Sequence, residues 1–295
     1  MAIIGFIGLG NMGLPMAQNL LKAGHEVCGY DVVPAARQAA ASAGVRMAAS
    51  AADAAREAEM VITMLPSGRL VLEVYPGILA VAALGTLFIE SSTIDVASAR
   101  AAHGLAGAAG MASIDAPVSG GVGGAAAGTL TFMVGGLGAA FARALPVLEK
   151  MGRKIVHCGD AGAGQAAKIC NNMILGISMI AVSEAFVLGE KLGLSHQALY
   201  DVASTASGQC WSLTSYCPVP GPVAGSPANN AYKPGFSTAL MLKDMLLSQA
   251  AAASAGASTA LGQHAAAMYQ SYADAGHAGM DFSGIINAIR EQPAG

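Results

Sequence analysis

A chain of 295 residues, 54% hydrophobic and only 11% charged, carries far less charge than the roughly 25% of an average soluble domain. That leaves too little polar surface to coat a monomer, so an oligomer burying a broad apolar face is expected, a homodimer or homotetramer. The net charge of −3 offers no basic footprint and argues against nucleic acid.

The length allows one large or two ordinary domains. Met1-Ala-Ile-Ile-Gly-Phe-Ile opens directly as a strand, so no signal or transit peptide is expected. The longest apolar run, Met173 to Val182, is too short to span a bilayer, so no membrane association is expected. The cysteines (Cys28, Cys158, Cys170, Cys210, Cys217) are odd in number, form no C-x-x-C pair, and read as reduced thiols of a cytoplasmic protein. The scattered histidines show no metal-ligand spacing, so no metal is expected.

Ile3 to Ile7 is a short apolar run ending in Gly8-Leu9-Gly10-Asn11-Met12-Gly13, followed by a helical stretch to Gly24 and a second strand, Glu26 to Tyr30, closed by Asp31. This is the strand, glycine turn, helix, strand, acid order of a dinucleotide-binding unit. Gly8 permits the tight turn, Gly10 lets the backbone approach a pyrophosphate at the helix N-terminus, and Gly13 lets helix and sheet pack closely. Asp31 stands where a carboxylate accepts the ribose hydroxyls of NAD and repels the 2′-phosphate of NADP; Arg37, able to reach back along its helix, is the one nearby cation. Pro34 and Gly44 frame the next helix, and Ser50-Ala-Ala-Asp53 resembles a capping box. Strands follow at Met60 to Met64 and Thr86 to Glu90. Leu65, Pro66 and Thr93, just past their carboxyl ends, are candidate cofactor neighbours, although each is also an ordinary turn former.

Asp115-Ala-Pro-Val-Ser119-Gly120-Gly121 begins a second glycine-rich stretch, without the Lys-Ser/Thr of a P-loop. It could aim a hydroxyl and backbone N–H groups at a carboxylate-sized anion, or be a flexible crossover. Gly136-Leu-Gly138 is a decoy, because Phe141 stands in place of a third glycine. A strand from Thr129 to Val134, a helix through Lys150 and a strand from Ile155 to Cys158 complete a first domain, 1–161.

The second domain, 162–295, opens with a long linker helix over about 163–192. Lys168 is the only charged residue between Asp160 and Glu184. A helix apolar all round is a buried helix, and lysine is rarely buried without a reason. Burial and the helix N-terminus both lower a lysine's pKa, which suits a general acid/base. Asn171 and Asn172, at i+3 and i+4, share its face. The bland alternative is a snorkelling lysine whose neighbouring amides bond the backbone. Beyond this helix no period-2 pattern returns. Helical segments dominate, interrupted from Ser204 to Pro234 by an aromatic, Pro-rich stretch that includes Trp211. Lys243, a second lysine among apolar residues, reads either as part of the site or as an internal ion pair or a snorkelling surface lysine.

Taken together, Gly8 to Asn19, Asp115 to Gly121 and Gly164-Gln-Ala-Ala-Lys168-Ile-Cys-Asn-Asn172 resemble the cofactor, substrate and catalytic signatures of the β-hydroxyacid dehydrogenase family, over residues 2 to about 290. The resemblance implies an α/β, Rossmann-type N-terminal domain joined by a long helix to an all-helical C-terminal domain. It also implies Lys168 as the proton relay, with Ser119, Gly120, Gly121 and Asn172 holding the substrate carboxylate and hydroxyl. It puts Lys243 and Phe236 near nicotinamide and substrate, and Trp211 with the substrate. Gln209-Cys-Trp211 and Tyr216 to Gly221 look like the branch that oxidises 3-hydroxyisobutyrate, rather than the tartronate or succinic semialdehyde reductases. An NADPH-dependent semialdehyde reductase is the alternative within the enzymes. A non-catalytic dinucleotide sensor, which has no use for Lys168, is the alternative outside them. The chain contains no Tyr-x-x-x-Lys and no Cys/His ligand cluster, so short-chain reductase and zinc alcohol dehydrogenase arrangements fit poorly.

Overall fold

Strands that read as almost unbroken apolar runs have both faces covered, the pattern of a parallel sheet flanked by helices. The computed structural model, which describes residues 1–291, shows that arrangement in the first half. The elements are β1 (Ile3–Ile7), α1 (Gly13–Lys22), β2 (Glu26–Tyr30), α2 (Pro34–Ser42), β3 (Arg46–Met47), α3 (Ala51–Ala55), β4 (Met60–Thr63), α4 (Gly68–Leu79), β5 (Leu87–Glu90), α5 (Val96–Ala108) and β6 (Ala112–Asp115). They are followed by β7 (Val118–Ser119), α6 (Gly121–Ala127), β8 (Leu130–Gly135), α7 (Gly138–Leu148) and β9 (Gly152–Gly159).

The sheet runs β3-β2-β1-β4-β5-β6-β8-β7, with β9 also paired to β8. The first six strands are parallel and have the doubly wound order of a Rossmann fold. β8 enters antiparallel to β6 and β7, and β9 runs parallel to β8. Period-2 alternation divides the core between the two faces: Leu87 and Ile89 pack into one apolar cluster and Phe88 into the other. Ser50 Oγ accepts from Asp53 N at 3.0 Å, so the cap at the start of α3 forms as its spacing requires.

Helix α8 (Ala163–Lys191) is 29 residues long. The chain divides into two compact units, Met1–Lys168 and Ile169 onward, and the division falls inside this helix. The second unit contains α9 (His196–Ala203), α10 (Trp211–Thr214), α11 (Thr238–Ala255), α12 (Ala260–Tyr272) and α13 (Ile285–Glu291). Its described residues form no strand, only the isolated bridge between Ser237 and Asp281. Judged by length and composition alone, α8 could cross a membrane, contrary to what the short apolar run led us to expect. Half of its most apolar window is buried within the protein, with Met179 and Phe186 in the core, so packing accounts for its apolarity.

The irregular stretch from Ser204 to Pro234 is tied down by its own side chains. Asn229 Nδ2 donates to Val223 O at 2.8 Å and its Oδ1 accepts from Gly221 N at 2.9 Å. Ser226 Oγ donates to Cys217 O at 2.5 Å.

Candidate active site

The glycine turn after β1 is shaped by close approaches. Gly8 has φ +94°, and a Cβ there would lie 2.2 Å from Met64 O; a Cβ on Gly13 would lie 1.9 Å from Gly8 O. Gly10 faces open space. Leu9 is buried, while Gly10 and Asn11 are exposed and Met12 is half-buried. The turn is therefore tight below and open above, the cradle a pyrophosphate needs at the start of a helix. Asp31, at the end of β2, accepts from Leu9 N through Oδ2 (2.7 Å) and from Val33 N through Oδ1 (2.8 Å). Each oxygen keeps a lone pair for a ribose hydroxyl. Arg37 does reach back: its Nη1 donates to Asp31 O at 2.9 Å and to Val32 O at 3.2 Å. These residues fit a bound dinucleotide.

The loops after β4 and β5 are joined to each other, because Leu65 N donates to Ser92 Oγ at 2.7 Å. Pro66 is exposed and Thr93 half-buried. Ser119 ends β7, where it pairs with Thr131, and Gly120 (φ +135°) and Gly121 (φ +62°) turn the chain directly into α6. This second glycine stretch is thus a strand-to-helix turn. Asn19 of α1 holds α6 through a 2.6 Å bond from Nδ2 to Ala125 O.

Helix α8 starts against the sheet. Asp115 at the end of β6 is fully buried and caps it, accepting from Gly162 N at 2.8 Å and Gln165 N at 2.9 Å. A Cβ on Gly164 would lie 2.3 Å from Met133 O, so only glycine permits this contact. His103 bridges Asp115 Oδ1 (3.0 Å) and the Ser113 hydroxyl (2.8 Å), holding the carboxylate from the other side. Lys168 lies on the second turn of α8 and is buried, 6% exposed. One turn before it, Gln165 is also buried and bonds Ile94 N, Ser92 O and Glu90. Burial pushes the Glu90 carboxyl up to about 8 despite hydrogen bonds from Ser92 and Thr63, so it is neutral at pH 7.

In the second unit, Asn172 sits one helical turn after Lys168 on α8 and is buried. Its Oδ1 accepts from Asn171 Nδ2 at 3.0 Å, and its Nδ2 donates to Asp244 Oδ2 at 2.5 Å. Asp244 Oδ1 in turn pairs with Lys243 Nζ at 3.4 Å. Trp211, half exposed, stacks on Tyr216 with centroids 4.9 Å apart, and Tyr216 stacks on Phe282 at 5.3 Å. Phe236 meets Phe282 edge-on at 5.8 Å. The buried Asp281 carboxylate anchors this aromatic row, taking hydrogen bonds from Tyr216 Oη (2.8 Å), Gly235 N (2.9 Å) and Phe236 N (3.1 Å). Burial, then the Asp281 charge, raises the Tyr216 phenol, which keeps it a donor.

Within the first unit the structure therefore brings together the ends of β1, β2, β4 and β5 and the start of α8; within the second it links Asn172 to Lys243 and Trp211 to Phe236. Sequence reading passed over Glu90, Gln165, Asp244 and Asp281. Their one sequence signal is a carboxylate or amide set among apolar residues. No group of acids, histidines and cysteines among the described residues could hold a metal ion.

Fold and glycine turn together define a dinucleotide-binding protein. Residues 3–159 match the family described as the NAD binding domain of 6-phosphogluconate dehydrogenase. Residues 162–289 match the NAD-binding region of NADP-dependent 3-hydroxyisobutyrate dehydrogenase. A probable 3-hydroxyisobutyrate dehydrogenase of Mycobacterium tuberculosis is 57% identical over 290 residues, 98% of each chain. The human mitochondrial 3-hydroxyisobutyrate dehydrogenase is 46% identical over 98% of this chain and 87% of its own length. A solved structure of the M. tuberculosis 3-hydroxyisobutyrate dehydrogenase with L-serine superposes with a TM-score of 0.95 over 98% of this chain and 99% of that one. The chain belongs to the 3-hydroxyisobutyrate dehydrogenase family.

Proposed function

We propose that the protein oxidises 3-hydroxyisobutyrate to methylmalonate semialdehyde with NAD, a step of valine breakdown, using Lys168 as proton relay. The observation that carries this reading is a buried lysine on the second turn of α8, in a chain of this family. When bound, the cofactor supplies the hydride acceptor at C4 of its nicotinamide. Gly8, Leu9, Gly10, Asn11, Met12 and Gly13 would hold its pyrophosphate and Asp31 its ribose, with Leu65, Pro66 and Thr93 as further cofactor neighbours and Lys243 toward the nicotinamide. Lys168 Nζ takes the proton from the substrate hydroxyl. Ser119, Gly120, Gly121 and Asn172 hold the carboxylate and hydroxyl, and Trp211 and Phe236 form the apolar wall for the methyl group. L-Serine, with which the M. tuberculosis relative was solved, is itself a 3-hydroxy acid.

Asp31 supports NAD over NADP, since a carboxylate would repel a 2′-phosphate. Arg37, placed at the carbonyls of Asp31 and Val32, favours the second reading, an NADPH-dependent semialdehyde reductase. A panel of small hydroxy acids assayed with NAD and with NADP, by the absorbance of reduced nicotinamide, separates the two. Turnover of simple alcohols without a carboxylate at comparable rates would refute both.

The same reading places the functional boundary at 161/162 and a homodimer or homotetramer in the cytoplasm. Ile174, Leu188, Leu192, Leu246 and Leu261 are large apolar side chains left exposed on the second unit, and an oligomer interface there would bury them. Light scattering that finds a 29.3 kDa particle would contradict the oligomer.

A further inference from the structure

We propose that Gln165 is a positioning residue for proton transfer, the side chain that ties the lysine-bearing turn of α8 to the loops after β4 and β5. The proposal rests on Lys168 being the proton relay. Gln165 precedes Lys168 by three residues, so the two side chains share a face of the helix. It is 0% exposed and uses both ends of its amide. Oε1 accepts from Ile94 N at 3.1 Å, while Nε2 donates to Ser92 O at 2.7 Å and approaches Glu90 Oε2 at 3.4 Å. Ser92 passes the link on, because its Oγ accepts from Leu65 N. One amide thus fixes, relative to Lys168, both loops proposed to border the cofactor.

The helix does not need this side chain in order to start. Asp115 already caps α8 through the backbone N–H groups of Gly162 and Gln165. Simple filling of space would be served by leucine or methionine, and a carboxylate would lose the donor that reaches Ser92 O. Of these side chains only the amide both donates and accepts. What the amide adds is a fixed register between the amine of Lys168 and the loops. A displacement of about 1 Å at a reacting centre can cost about 100-fold in rate.

The test is a double-mutant cycle with Gln165→Met, Lys168→Ala and the pair, using NAD and 3-hydroxyisobutyrate, with folding checked by circular dichroism. Gln165→Met should lower kcat roughly 10- to 100-fold while KM for NAD and for the hydroxy acid stays within about threefold. In the Lys168→Ala background the same substitution should change kcat by less than about twofold, because residues acting as a unit are non-additive. Gln165→Glu, which keeps the acceptor and the shape, should fall between wild type and Gln165→Met, and it carries the test if the methionine variant does not fold. A folded Gln165→Met with near wild-type kcat overturns the proposal. So does an equal loss in both backgrounds, which marks a structural role, or a rise in KM alone, which marks lost ground-state binding. Lys168→Ala retaining more than about a tenth of wild-type kcat is a separate failure, that of the proton-relay reading itself.

Discussion

Glu90 offers a prediction that can be worked through from the structure. Its carboxyl is fully buried at the end of β5, where Ser92 N donates to Oε1 at 2.9 Å and Thr63 Oγ1 at 3.3 Å. Burial raises its pKa from 4.5 to about 8. The folded protein therefore binds a proton that the unfolded chain releases across that window. The stability from this neutral carboxyl is fully present below about 4.5 and is lost as pH rises through about 8. Each pH unit between those limits costs about 1.4 kcal/mol. Glu90→Gln replaces the protonated acid with a neutral side chain of the same shape and removes the titration. Any constant penalty for the altered donor pattern cancels when the difference is followed with pH. Urea unfolding of wild type and variant at about pH 5.5 and about pH 7.5 should show the gap shifting toward the variant by roughly 2 to 3 kcal/mol. Stabilities that run parallel across this range would mean that Glu90 is already ionised in the folded protein, and the neutral network around Gln165 would be wrong.

Three further outcomes test the site. Lys168→Ala should lose about 10² to 10⁴-fold in kcat while still binding NAD, measured by fluorescence titration of the reduced cofactor. Asp31→Ser replaces the two carboxylate acceptors of Leu9 N and Val33 N with a single hydroxyl and removes the charge that would face a 2′-phosphate; the ratio of kcat/KM for NAD over NADP should narrow. A wild-type enzyme with higher kcat/KM for NADP would refute the role given to Asp31. Ser119→Ala should raise KM for the hydroxy acid more than it lowers kcat if the carboxylate is held alike in ground and transition states, and initial-rate measurements separate the two.

Much of the protein was legible in the sequence because local rules dictate it. The Gly8 to Gly13 turn needs glycine at positions where a Cβ would strike Met64 O or Gly8 O, and Asp31 follows from the length of one helix and one strand. Short apolar runs closed by turns, and the lack of any strand pattern beyond α8, separated a sheet half from a helical half, and Lys168 stood out as a lone charge on an apolar helix. What only the tertiary structure decided concerns partners distant in sequence. Asp115 caps a helix that begins 48 residues later, because β6 ends where α8 starts. Gln165 reads as an ordinary helix former until Ile94 and Ser92 are seen at either end of its amide. Asp281 and Asp244 look like isolated acids until the folded chain delivers Tyr216 and Asn172 to them. The strand order β6-β8-β7 with β9 beside β8 was likewise invisible, since pairing is set by which edges meet and no residue pattern within one strand encodes its neighbour. Periodicity reports which face of an element is buried; the carboxylate or amide it is buried against is settled only when non-local pieces close around it, since a buried polar group must find its partner there.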